Sequence, residues 1–189
     1  MKKRTLVFLA DGFEEVEAAT PIDYLRRAGI EVVTASVKKE RAVTGSHGIV
    51  FTADTSIPDL KTEDKLKPSL WDGVFVPGGM PGASNLAACP EAGNFYREMA
   101  AAGKLTAAIC ASPAVFLAPL GLLEGRRFTC FPGTEKQVKG GTWLSDRVVT
   151  DGSLVTSRAP GTAAEFALTL IEELVGAAEA KQVKEAALL

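Results

Sequence analysis

Short, nearly continuous apolar runs alternate along the chain with longer stretches in which apolar residues recur every three to four positions. That alternation predicts a doubly wound parallel sheet covered by helices on both faces. The runs Thr5–Leu9, Glu31–Ala35, Val74–Val76, Leu105–Ile109 and Leu154–Thr156 read as core strands, because a strand buried on both faces shows no polar alternation. Weaker β-rich segments at Ile49–Thr52, Arg127–Thr129 and Arg147–Val149 read as edge strands or hairpin arms. Helical patterns run from Glu14 to Ala28, Pro90 to Ala102, Ser112 to Ala118 and Thr162 to Leu174. Two helix entries are marked: Pro90 suits a first turn that needs no N–H, and Thr162 can cap its helix. The charged stretch from Lys61 to Ser69, with Pro68 near its end, reads as a surface loop. With no internal repeat, low-complexity tract or linker, residues 1–189 are expected to form a single domain.

Composition narrows the class. A hydrophobic content of 47% over 189 residues suits one sizeable core without approaching membrane composition. The net charge of −2, with no block of five like charges, excludes a nucleic-acid stripe and a polybasic membrane anchor. A small molecule or another protein is the expected partner. The basic start Met1-Lys2-Lys3-Arg4 imitates an export signal, but the apolar run that follows is broken by Asp11-Gly12 and is too short. Cys89, Cys110 and Cys130 make neither an even disulfide framework nor a CxxC pair, and a single histidine, His47, argues against zinc. Reduced thiols in a cytoplasm, and no metal or other cofactor, are the expectation.

Four segments carry candidate chemistry. An apolar strand runs into Cys110 and a helical pattern follows at once, with the small residues Ala108 and Ser112 two positions to either side. This is the crowding constraint of a strand-to-helix nucleophile elbow, which projects a side chain over the carboxyl edge of the sheet. The helix N-terminus there is expected to lower the thiol pKa. A small buried hydrophobe would account for the same cysteine equally well. After the first strand comes Asp11-Gly-Phe-Glu-Glu-Val-Glu17. Glu14 and Glu15 read as first-turn acids complementing the helix dipole, with Glu15 on the side of Arg26. Glu17 instead projects between Phe13, Tyr24 and Ala28, a carboxyl on a largely apolar face, where burial favours the protonated acid. Gly78-Gly79 ends a buried strand at the same edge and can turn amides towards an oxyanion. Arg158-Ala-Pro160-Gly161-Thr162 marks another strand-to-helix junction, which either lines the same pocket or is a turn with a helix cap. Neither GxxxxGK[ST] nor a GxGxxG after the first strand is present, so nucleotide cofactors are disfavoured.

The segments LVFLADGFEEVEAATPID, VFVPGG, AAICASP and VTSRAPGTAAEFAL occur in the order and at the spacing of the ThiJ/PfpI superfamily, which the chain resembles over nearly its whole length. The likeness is strongest to the branch that includes Parkinson disease protein 7. It implies a flavodoxin-like three-layer α/β/α sandwich with a mostly parallel sheet, related to class I glutamine amidotransferases and usually homodimeric. It assigns Cys110 as nucleophile, Glu17 as the family glutamate, and the backbone N–H groups of Gly79 and Ala111 as oxyanion donors. Gly78, Ser112, Phe131, Arg158 and Pro160 then fall around the pocket. Two departures matter. The histidine frequent in the branch before the proline matching Pro132 is replaced by Phe131, and the peptidase-like histidine after the nucleophile is replaced by Ala111. Peptidase and amidotransferase chemistry, which need an activating histidine, are therefore disfavoured. What the resemblance implies instead is a glutathione-independent glyoxalase with related protein or nucleotide deglycase activity on methylglyoxal, glyoxal or their early adducts. The rival is a redox-sensing or chaperone protein of the stress response, with Cys110 oxidised to sulfinic acid. A third label, thiazole monophosphate biosynthesis, has no residue in its favour.

Overall fold

In the computed structural model, which describes residues 2–189, alternate side chains of the same strands feed two separate apolar clusters. Leu6, Phe8, Val74, Val76 and Ala108 point to one, while Val7, Leu9, Phe75, Ala107 and Ile109 point to the other. A strand with period two can be apolar throughout only when both of its faces are covered. The chain runs β1 (Arg4–Leu9), α1 (Glu15–Arg27), β2 (Glu31–Ser36), β3 (Ala42–Thr44), β4 (Val50–Thr52), β5 (Thr55–Ser56), α2 (Ile57–Thr62) and β6 (Gly73–Val76). It continues through α3 (Gly82–Ala87), α4 (Pro90–Ala101), β7 (Leu105–Ile109), β8 (Arg127–Phe128), β9 (Thr142–Trp143), β10 (Val148–Asp151), β11 (Leu154–Ser157), α5 (Ala163–Val175) and α6 (Ala177–Ala186). Seven strands form the central sheet in the order β10-β11-β7-β6-β1-β2-β5. All its neighbours pair in parallel except the edge strand β10, which is antiparallel to β11.

Helices cover both faces, giving a mostly parallel, flavodoxin-like α/β fold. On one side, Phe95, Tyr96 and Met99 of α4 join Phe116 against the sheet, and the Tyr96 hydroxyl donates to the Ala107 carbonyl at 2.9 Å. On the other, Leu25 of α1 packs with Phe166, Leu170 and Ile171 of α5. No helix among the described residues is long and apolar enough to cross a membrane.

Several expected elements differ. Residues 112–118 are helical but not a regular α-helix: Pro113–Leu117 makes a short π-type turn and Ala118–Leu120 a 3-10 turn, with Pro119 unable to donate to the continuing ladder. The stretch read as a loop opens on the end of α2, whose Ser56 cap accepts from the Asp59 N–H, and later holds a 3-10 turn at Pro68–Leu70. The weaker β segments divide three ways: β4 is a hairpin arm with β3, β8 pairs with β9 outside the main sheet, and β10 is an edge. Helices α3 and α6 lacked a readable apolar stripe. The former has six residues, and the latter buries only Ala180 and Val183.

The order β7-β6-β1 positions the chemistry. Three adjacent parallel strands end at the same edge, bringing together the segments that follow Leu9, Val76 and Ile109.

Candidate active site

Cys110 follows the last residue of β7 and adopts φ +66°, the left-handed region that a residue with a side chain occupies at a cost of about 1–3 kcal/mol. Neighbouring chain holds it there. Its N–H donates to the Ser157 carbonyl at 2.9 Å, and its carbonyl accepts from the Phe131 N–H at 2.7 Å. Two residues on, the Ser112 hydroxyl donates to the Pro77 carbonyl at 2.6 Å, tying the elbow to the end of β6. The thiol is 8% exposed.

Glu17 reaches this elbow from α1 and is fully buried. Its Oε2 accepts from the Gly78 N–H at 2.8 Å, whereas Oε1 is buried with no hydrogen-bond partner. Gly78 flanks both the acid and the thiol. A Cβ there would lie 2.7 Å from the Cys110 Cβ and 2.9 Å from Glu17 Oε2, so a side chain at position 78 would displace one or the other. Gly79, at φ +85°, packs so closely on the chain at Gly12–Glu14 that its own Cβ would strike the Glu14 backbone nitrogen.

Burial raises the Glu17 carboxyl to about 7; donation from the Gly78 N–H and the contact with Cys110 pull the other way, and the Glu14 charge adds to the rise. The Cys110 thiol is pushed up as well, first by burial and then by the Glu17 carboxylate, against the Gly79 and Ala111 amides that favour the thiolate. The lowered thiol expected from a helix N-terminus is thus overturned. A buried sulfur beside a carboxylate resists ionisation, and the turn that follows is not an α-helix. The pair therefore loses a first proton near pH 7 and keeps the second far above it. In between it shares one proton and one negative charge, with two amides favouring charge on sulfur and one favouring it on the carboxylate.

The remaining sequence candidates are spread wider. Phe131 touches the elbow through its main chain, but its side chain is 44% exposed and does not seal the site. The Arg158 guanidinium donates to the Ser145 carbonyl at 3.0 Å, and Pro160 opens the 3-10 turn Pro160–Thr162. Neither residue hydrogen-bonds Cys110 or Glu17. The link from that junction runs through Ser157, whose carbonyl holds the Cys110 N–H and whose hydroxyl pairs with Thr162 at 2.7 Å. Sequence reasoning passed over Ser157, since a serine ending a strand carries no signal of which carbonyl faces an elbow. Glu15 does stand in the first turn of α1, but it is buried there. It is 4% exposed and does not face solvent; its Oε1 accepts from the His47 N–H at 2.7 Å and the Ile49 N–H at 3.3 Å. Burial opposes its ionisation, but these donors and the His47 ring overcome that and hold it at about 2. His47 places its ring against Glu15 rather than Cys110.

The sequence signature described as the DJ-1/PfpI family matches residues 3–173. The chain is 40% identical over 182 residues to Protein DJ-1 homolog B of Arabidopsis thaliana, covering 96% of this chain but 40% of that protein, so it spans less than half of that relative. The Parkinson disease protein 7 homolog of Danio rerio is 40% identical over 185 residues, covering 96% of this chain and 95% of that one. A glutathione-independent glyoxalase of Caenorhabditis elegans, DJR-1.2, is 36% identical over 178 residues, covering 93% and 90%. Among solved structures, oxidized Toxoplasma gondii DJ-1 superposes with a TM-score of 0.92 at 39% identity over 98% of both chains.

Proposed function

The chain belongs to the DJ-1/PfpI family, and from that premise we propose that it is a cysteine-dependent, glutathione-independent glyoxalase or deglycase acting on methylglyoxal, glyoxal or their early adducts. The observation that carries this reading is the Glu17 carboxyl, buried behind Gly78 beside the Cys110 elbow and poised to exchange a proton near neutrality. The named glyoxalase relative in Caenorhabditis elegans supports the reaction class.

The Cys110 sulfur adds to the aldehyde carbon of methylglyoxal as its proton passes by way of Glu17 to the carbonyl oxygen, and the resulting hemithioacetal oxygen is held by the Gly79 and Ala111 amides. Glu17 then removes the proton from the former aldehyde carbon and returns it to the adjacent ketone carbon, while the hydroxyl proton of the hemithioacetal passes to the ketone oxygen, leaving a lactoyl thioester on Cys110. One carbon is oxidised while its neighbour is reduced, so no external oxidant enters. Water displaces the sulfur from the thioester, lactate leaves, and the thiol is restored. Glyoxal gives glycolate by the same steps. Addition of sulfur to an aldehyde needs no histidine, which fits a chain with Phe131 and Ala111 where activating histidines would stand, and it disfavours peptidase and amidotransferase chemistry.

A second reading uses the same residues: oxidation of Cys110 to a sulfinate that the protonated Glu17 hydrogen-bonds. It is favoured by the likeness to the oxidized Toxoplasma gondii protein. Methylglyoxal consumption by fully reduced protein, without glutathione, separates the two. Turnover abolished by Cys110→Ser is the expected outcome; a reduced wild type that forms no lactate would leave the sensor reading standing.

A homodimer is part of the proposal. Val16, Ile49 and Val50 are 48%, 57% and 57% exposed. They lie around Glu15: Val16 is its neighbour in α1, the Ile49 N–H donates to its carboxylate, and Val50 follows Ile49. A second copy of the chain would cover them about a two-fold axis.

A further inference from the structure

Glu14, Glu15 and His47 lie outside the Cys110–Glu17 pair, and their ligating atoms all fall within 4.8 Å of one another. The Ser46 hydroxyl completes the group. It lies 3.3 Å from Glu14 Oε2, 3.4 Å from Glu15 Oε2 and 3.1 Å from His47 Nδ1. His47 Nδ1 is in turn 2.9 Å from Glu15 Oε2 and 3.5 Å from Glu14 Oε2. Five of the six edges of this four-atom figure are therefore between 2.9 and 3.5 Å. Around a zinc-type ion with bonds of about 2.0–2.1 Å, tetrahedral donors stand about 3.3–3.4 Å apart.

The charge balance points the same way independently of the distances. Glu15 is 4% exposed and the Glu14 side chain 13%, yet no Lys or Arg pairs with either among the described residues. Two carboxylates, that of Glu15 buried, thus meet an imidazole and a hydroxyl that belong to exposed residues. Those two groups bring two hydrogens for four close acceptor contacts, and a buried anion without a fixed cation is costly. A divalent cation would meet both carboxylates at once.

We propose that Glu14, Glu15 and His47 form a binding site for a divalent transition-metal ion of the zinc class, with the Ser46 oxygen at the fourth position. The mixed imidazole and carboxylate set suits such an ion better than calcium, which takes six to eight oxygens. The lone histidine argued against zinc in the sequence because spacing alone pairs it with nothing; the fold brings two glutamates from the start of α1 to it. The site clamps the turn between β3 and β4 onto the segment leading into α1. That contact is otherwise made by the Gly12 N–H on the Thr44 carbonyl at 2.7 Å and the Ser46 N–H on the Phe13 carbonyl at 2.8 Å.

Chelator-treated, reduced protein titrated with Zn2+ and with Co2+ tests the assignment, since Co2+ reports its donors by absorption. The proposal expects one equivalent bound without thiolate-to-cobalt charge transfer, and a higher thermal midpoint with metal. His47→Ala, at a side chain 67% exposed and therefore safe for folding, and Glu14→Gln should each weaken binding at least tenfold and abolish the thermal shift. Cys110→Ala should bind as wild type does. A wild type that binds no metal, a His47→Ala variant with unchanged affinity, or binding lost with Cys110→Ala and accompanied by thiolate charge transfer would each overturn it.

Discussion

Glu17 is a cost to the folded protein that scales with pH. Its carboxyl stands near 7 in the fold against an ordinary 4.5, so the folded state holds the proton more tightly than the unfolded chain. Its contribution to stability is complete below about pH 4.5 and is lost as pH rises through about 7, a difference of about 3 kcal/mol at one pKa unit per 1.36 kcal/mol. Glu17→Gln should accordingly match wild type at pH 4 and exceed its stability by up to that amount at pH 8, measured by denaturant unfolding. The same variant should lose methylglyoxal turnover by a hundredfold or more, because an amide accepts the Gly78 N–H but transfers no proton. Equal stability of the two proteins at pH 8 would mean that Glu17 is already ionised in the fold at no cost. Phe131 invites the converse change. Its side chain is exposed, so Phe131→His should fold normally, and a rise of several orders of magnitude in turnover from a near-zero wild-type rate would show that the natural chain lacks a catalytic base.

The three strand ends act as a unit because none can move without the others. Ser112 holds Pro77, Gly78 holds Glu17, the Glu14 N–H donates to the Gly78 carbonyl at 3.0 Å, and Ser157 holds Cys110. Gly78 is the point where acid and thiol both press on the backbone. Gly78→Ala brings a methyl to 2.7 Å from the Cys110 Cβ, so the elbow must shift by several tenths of an ångström. The expected cost is about 1–3 kcal/mol in stability, as for other overpacked sites. Turnover should fall about a hundredfold from misplacement of the reacting sulfur. Thermal unfolding and the rate of Cys110 alkylation together read both. Unchanged alkylation kinetics would count against a rigid contact between Gly78 and the thiol.

The proposed homodimer rests on exposed apolar residues. Val16 of α1 and Ile49 and Val50 at the start of β4 are held near one another by the Glu15 hydrogen bonds to the His47 and Ile49 N–H groups, so the proposed contact is prearranged. Val50→Asp places a charge at its centre and should convert a dimer to a monomer by light scattering, with the far-UV spectrum unchanged because Val50 contributes little to either core. A wild type already monomeric at micromolar concentration would remove the proposed interface.

Much of this was written locally. Continuous apolar runs placed β1, β2, β6, β7 and β11 within a residue or so of their ends, because doubly covered strands have no other pattern. Small residues around Cys110 announced an elbow, and the apolar face of α1 announced that Glu17 would be buried. Periodicity, however, says which side of a helix is covered and not what covers it. Only the tertiary structure set Gly78 against both Glu17 and Cys110, buried Glu15 against His47, and turned Phe131 partly to solvent. Only it reversed the expected shift of the thiol, since desolvation and the charge of a residue 93 positions away are absent from any local window. The short α3 and the sparsely apolar α6 escaped for the complementary reason: packing against neighbours, rather than their own residues, makes them helices.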